Sequence, residues 1–137
     1  MNSVVIDTKE VDRVMRNLGM NRDDIIRTIA FDIEATAKQL APYETTALRN
    51  SIYTETSKES GFSNASSEAS QLRPGAETIR HPVPEEGFAN VGPCVNYAEY
   101  VELPGNVLKA GQRPYLTPAV EMVAQKFNSG ERWKGLT

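Results

Sequence analysis

The sequence predicts a single α+β domain, with N-terminal helices packed on a small antiparallel sheet of three to four strands and a closing C-terminal helix. Three observations carry that prediction. Ile25, Ile29, Ile33 and Ala37 recur four apart, flanked by Ile26, Ala30 and Leu40, which marks one face of a helix. From Leu48 to Leu103, short runs containing Thr, Tyr, Val and Ile are separated by Gly and Pro, as brief strands joined by turns would be. Towards the end, Val120, Val123, Ala124 and Phe127 return to helical spacing behind Thr117 and Pro118.

Each element has its own local reason. Thr8 is suited to cap a first helix, on which Val11, Val14, Met15 and Leu18 share one face, and Gly19 stands where a left-handed residue would end it. Asn21 is suited to cap a second helix, with Asp23 and Asp24 in the first turn at the positive end of the dipole. Pro42 stops that helix and biases Ala41 away from helical geometry. Leu48 to Thr56 is predicted as a strand. Residues 57–75 hold six serines, two glycines and one proline, with only Phe62 and Leu72 as large apolar residues. Such a segment buries too little to offset its ordering entropy, so a flexible or extended loop is expected there. Ala76 to Val83 is a second strand candidate, confined to an edge by Pro82 and Pro84. Phe88 to Val95 is a third, with a bulge or bend at Gly92-Pro93. Asn96 to Leu103 suits a helical turn and a strand equally. Thr117 and Pro118 are expected at the N-cap and first position of the last helix, and Gly130 ends it, leaving a tail over 130–137.

Composition narrows the function classes. A chain of 137 residues can bury roughly 68% of its unfolded surface as one domain, with no need of metals or disulfides. The net charge of −3 argues against a dedicated nucleic-acid binder, whose affinity comes largely from neutralising phosphates. Cys94 is the only cysteine, so no intrachain disulfide forms. No apolar run approaches the ~18 residues that span a bilayer, and no basic stretch followed by an apolar one opens the chain. A soluble intracellular protein without membrane association is expected.

The inventory for chemistry is thin. His81 is the only histidine, which excludes a multi-histidine zinc site, and no phosphate-cradling glycine motif is present. A Cys94–His81 dyad and the Glu99/Glu102 pair are the remaining candidates for catalysis, and each has a plainer reading as ordinary strand or surface residues. The expectation is no catalytic residue, no metal and no cofactor. Tyr43, Tyr97, Tyr100, Tyr115 and Trp133 stand beside prolines, glycines and element ends, where rigid aromatics serve as interface anchors or cover the rim of a core.

Three patches carry a resemblance. Ala41-Pro42-Tyr43-Glu44-Thr45-Thr46-Ala47-Leu48-Arg49-Asn50-Ser51-Ile52 follows the long helix, Tyr97-Ala98-Glu99-Tyr100-Val101-Glu102-Leu103 comes next, and Arg113-Pro114-Tyr115-Leu116-Thr117-Pro118-Ala119 opens the last helix. In this order and spacing they resemble the small neck or tail-completion proteins of long-tailed bacteriophages, related to the tail-completion protein Z of phage lambda. Thr46 stands where that family often has Gly, and Pro104-Gly105 replaces its usual Gly-Thr.

The resemblance implies a virion structural protein of the neck or tail, assembled in the host cytoplasm, that joins a completed tail to a DNA-filled head. It implies a homo-oligomeric ring, of six copies rather than twelve, contacting neighbouring neck, connector and tail proteins. DNA would pass through its lumen without sequence-specific binding. On that view Tyr43, Tyr97, Tyr100, Glu102, Arg113, Tyr115 and Trp133 are the interface candidates. Trp133 is expected to dock on a neighbouring subunit, residues 57–75 to order only against neighbours, and Glu102 to pair with Arg113. The alternatives are a tail terminator ring capping the tail tube and, from another class, a small hydrolase or nuclease using His81 or Cys94.

Overall fold

The computed structural model describes residues 8–41, 46–72, 75, 77–95 and 115–134. Helix and strand mix as expected, with helix dominant and a two-stranded antiparallel sheet. Helix α1 spans Thr8–Leu18 and ends on Gly19, whose φ of 67° lets its N–H reach the Met15 carbonyl at 3.1 Å. Helix α2 spans Arg22–Leu40, and the Asn21 Oδ1 accepts the Asp24 N–H at 2.8 Å. It stops as Pro42 requires: Ala41 is already extended, at φ −61° and ψ 141°.

The segment predicted as one strand over Leu48 to Thr56 divides. Thr46–Ser51 is a short helix, α3, and only Ile52–Thr56 forms strand β1. Leu48 and Ile52 are four apart and both buried, a spacing that a helical turn running into a strand satisfies. The Ser51 hydroxyl donates to the Leu48 carbonyl at 2.6 Å and closes that turn.

The expected loop over 57–75 is corrected more sharply, because Phe62–Leu72 is a helix, α4. Its signal lies in small residues. Phe62, Ala65, Ala69 and Leu72 fall at i, i+3, i+7 and i+10, and Ala65 and Ala69 are buried. The Ser60 Oγ accepts the Phe62 N–H at the start of the helix, at 3.2 Å.

Strand β2, Ala89–Pro93, pairs with β1 from Ile52 opposite Pro93 to Thr56 opposite Ala89. The register runs unbroken through Gly92-Pro93, so the expected bulge is absent there. Pro93 is tolerated for a reason that the pairing supplies. The Cys94 N–H bonds the Ser51 carbonyl at 3.0 Å, so the next pair, Ile52 with Pro93, is a non-hydrogen-bonded one and asks no N–H of the proline. The strand expected over 76–83 is reduced, among the described residues, to a single bridge between Thr78 and Val95.

The last helix, α5, spans Leu116–Asn128, with Tyr115 rather than Thr117 at its N-cap. Pro118 falls in the first turn, where its missing N–H costs nothing. Gly130, at φ 80°, ends the helix and turns the chain into one 3-10 turn, Glu131–Trp133.

α2 is the spine on which two apolar clusters form. Ala37 and Ala41 at its C-terminal end meet Leu48, Ile52, Ala69, Val95, Tyr115 and Ala119. Ile25 at its other end meets Val14, Phe127 and Trp133. The start of α5 therefore packs near the end of α2 and the end of α5 near its start, so the two helices run antiparallel. A third cluster of Tyr53, Ala65 and Cys94, with Phe62 against it, fills the space between β1 and α4.

Candidate functional site

Polar groups gather under cover beside β1. Tyr53 and Glu55, two apart on a strand, project to the same face. The Tyr53 ring meets Phe62 edge-on, centroids 5.5 Å apart, and its hydroxyl accepts the His81 N–H at 3.2 Å. The Glu55 side chain is 1% exposed, and its Oε2 accepts both Nε and Nη2 of Arg80, at 3.1 and 2.5 Å. Its other oxygen, Oε1, makes no direct hydrogen bond. Arg80 itself is half exposed and stacks its guanidinium over the Phe62 ring, 5.5 Å from the centroid.

These contacts move the titrating groups. Hydrogen bonding from Arg80 holds the Glu55 carboxyl below its ordinary 4.5 against the opposing effect of burial, with help from the nearby Ser60 hydroxyl. Burial raises the Tyr53 phenol above its ordinary 10.0, with the His81 N–H partly offsetting it. Burial likewise raises the Cys94 thiol above 9.0.

Two hollows lie beside β1. The larger, of about 330 Å³, lies between α2 and α4 and is lined by Phe31, Glu34, Lys38, Thr54, Gly61 and Glu68 among others. Its floor includes the edge of β1 turned away from β2. The turn after β1 partly closes that edge: the Thr54 carbonyl accepts the Gly61 N–H at 3.0 Å, and the Thr56 N–H donates to the Glu59 carbonyl at 2.8 Å. The smaller hollow, of about 110 Å³, sits at the start of α2 between Asp24, Lys58 and Phe88.

The contacts on this face fasten one stretch of the chain to another. Glu55 is held as a carboxylate by Arg80. Cys94 is 1% exposed, packs with Tyr53 and Ala65, and is kept as the thiol, so the thiolate a Cys94–His81 dyad would need is disfavoured. His81 contributes its backbone N–H to Tyr53. Among the described residues, no group of three or more His, Cys, Asp or Glu is arranged to hold a metal ion.

The predicted interface residues divide into two sets. Trp133 is 4% exposed, lies edge-on to Phe127 at 6.3 Å and belongs to the core of its own chain, which corrects its expected docking on a neighbour. The Gly130 turn folds the would-be tail back onto α5, and Arg132 then stacks over the indole at 4.8 Å while pairing with Asp32 of α2 at 2.5 Å. Tyr115 is 1% exposed inside the cluster around Ala37, so it too is a core residue rather than an interface anchor. Tyr43, Tyr97, Tyr100, Glu102 and Arg113 lie outside the described residues, as do Glu99 and the Glu102–Arg113 pairing.

Sequence reasoning passed over Glu55 and Arg80. Glu55 carried a signal, as a charge two residues from an aromatic on a β-branched strand. Arg80 carried none, since its partner is 25 residues away.

The fold defines a mixed helix-and-strand domain, and no helix among the described residues is long and apolar enough to cross a membrane. No protein-family model, no curated protein and no solved structure matches the chain.

Proposed function

We propose that this chain is a structural subunit of the neck of a long-tailed bacteriophage, a tail-completion protein that joins tail to head as a ring of identical copies, six rather than twelve. The observation that carries the reading is the order and spacing of the three patches at 41–52, 97–103 and 113–119. Packing supports it. Ala41, Leu48 and Ile52 from the first patch share one core cluster with Tyr115 and Ala119 from the third, with Leu116 against it, so two stretches far apart in sequence form a single unit. The finer expectation of a sheet of three to four strands belongs to this reading, with β1 and β2 as two of them.

With Trp133 and Tyr115 in the core, the subunit contacts fall to Tyr43, Tyr97, Tyr100, Glu102 and Arg113. A head-to-tail interface whose rotation closes makes a ring from such contacts. The net charge of −3 suits a conduit through which DNA slides without being held. Neighbouring neck, connector and tail proteins complete the assembly.

The experiment is to probe purified virions and tail precursors of the producing phage for this chain. Its presence in either is expected, and its absence from both overturns the proposal. Overlong tails in a deletion mutant would instead assign the chain as a tail terminator. Loss of infectivity on replacing His81 and Cys94 by Ala, with assembly intact, would favour a hydrolase or nuclease.

A further inference from the structure

We propose that residues 77–88 form a strap that opens as a unit when the Glu55–Arg80 pair breaks, leaving the β1–β2 hairpin and the helices folded. The segment has no buried residue, and its large apolar side chains point outward: Ile79, Val83 and Phe88 are 50%, 56% and 64% exposed. It is held by polar contacts and by the Arg80 guanidinium over the Phe62 ring, with no buried apolar side chain of its own, the condition under which local opening separates from global unfolding.

Those points can be named. The Ile79 N–H donates to the Cys94 carbonyl at 2.6 Å, and the His81 N–H to the Tyr53 hydroxyl at 3.2 Å. The Thr78 and Ser66 hydroxyls meet at 2.9 Å, and the Asn90 side-chain amide donates to the Pro82 carbonyl at 3.0 Å. A charged fastening is Arg80 on Glu55, a carboxylate taken out of water. It is lopsided, since both guanidinium nitrogens bond Oε2 and leave Oε1 without a direct hydrogen bond.

Hinges are present near both ends. Gly75 and Gly87 hold φ of 87° and 90°, and a Cβ at either would meet nothing within 4 Å, so the backbone has room to turn there. Pro82 and Pro84 stiffen the middle, which favours movement as one piece. Opening uncovers the Tyr53–Phe62 ring pair and frees the Cys94 carbonyl, so the strap shields an aromatic face. This inference is independent of the proposed function.

Amide hydrogen exchange on the full chain tests it. The Cys94 N–H, bonded to the Ser51 carbonyl in the hairpin, is the internal reference. Glu55→Gln is expected to speed exchange at Ile79 and His81 roughly tenfold or more, with the Cys94 amide unchanged. Arg80→Gln, at a half-exposed position, makes the same prediction should the buried substitution prevent folding. Unchanged exchange at Ile79 and His81, or a rise matched by Cys94, would overturn the strap.

Discussion

Trp133 illustrates how one turn reassigns a side chain. A lone aromatic just past a helix-ending glycine has the appearance of a free anchor. The positive φ of Gly130 instead reverses the chain, and the Trp133 N–H bonds the Gly130 carbonyl at 3.3 Å, so the indole lands on Phe127. Trp133→Ala should lower the free energy of unfolding by about 3–5 kcal/mol, read from a urea transition, as for other large buried aromatics. An unshifted midpoint would return the residue to the surface. Glu55 supplies the pH dependence. Its folded pKa lies below the ordinary 4.5, so its stabilising contribution is complete above 4.5 and is lost as pH falls through the folded value. Denaturation midpoints followed through the acid range should therefore fall more steeply for the native chain than for Glu55→Gln. Parallel curves would mean that Arg80 does not hold the carboxylate.

Helices α1, α2 and α5 were legible because their signals are local: large apolar residues at helical spacing, Asn21 and Gly19 at the ends, and Pro42 as a stop. α4 was not, because its inward face is made of alanines in a serine-rich setting. Alanine buries little area, and its value here is that it allows close approach. Ala69 has no exposed surface and packs in the cluster with Leu48 and Ile52. Ala69→Leu should cost about 1–3 kcal/mol by overpacking, measured by denaturation. The same change at the exposed neighbour Ser70 should be close to neutral. Equal effects at the two positions would deny α4 its inward face. β1 was legible as a strand but not in its start, since the spacing of Leu48 and Ile52 suits a helical turn, and only the onset of Ile52-Tyr53-Thr54 marks the change.

Across the whole molecule, the antiparallel contact of α2 with α5 ties two helices far apart in sequence together. Ala37 of α2 and Ala119 of α5 are both fully buried in one cluster. Ala37→Leu and Ala119→Leu should each destabilise by about 1–3 kcal/mol. The double variant should depart from additivity by more than about 0.5 kcal/mol, because both side chains compete for one space. Strict additivity would place the two alanines in separate environments. The two clusters on α2 take up Tyr115 and Trp133, one each, and leave the proposed subunit contacts to residues of the 42–45 and 96–114 stretches.

Local order along the chain was enough to locate the long helices, the Asn21 cap, the stops at Gly19, Pro42 and Gly130, and the β character of Ile52 to Thr56, since each depends on neighbours within one or two turns. The Glu55–Arg80 fastening, the helix in the serine-rich stretch and the inward turn of Trp133 depend on partners many residues away. Burial of a small, polar or solitary aromatic residue is set by what the folded chain brings against it, and no short window of sequence contains that partner.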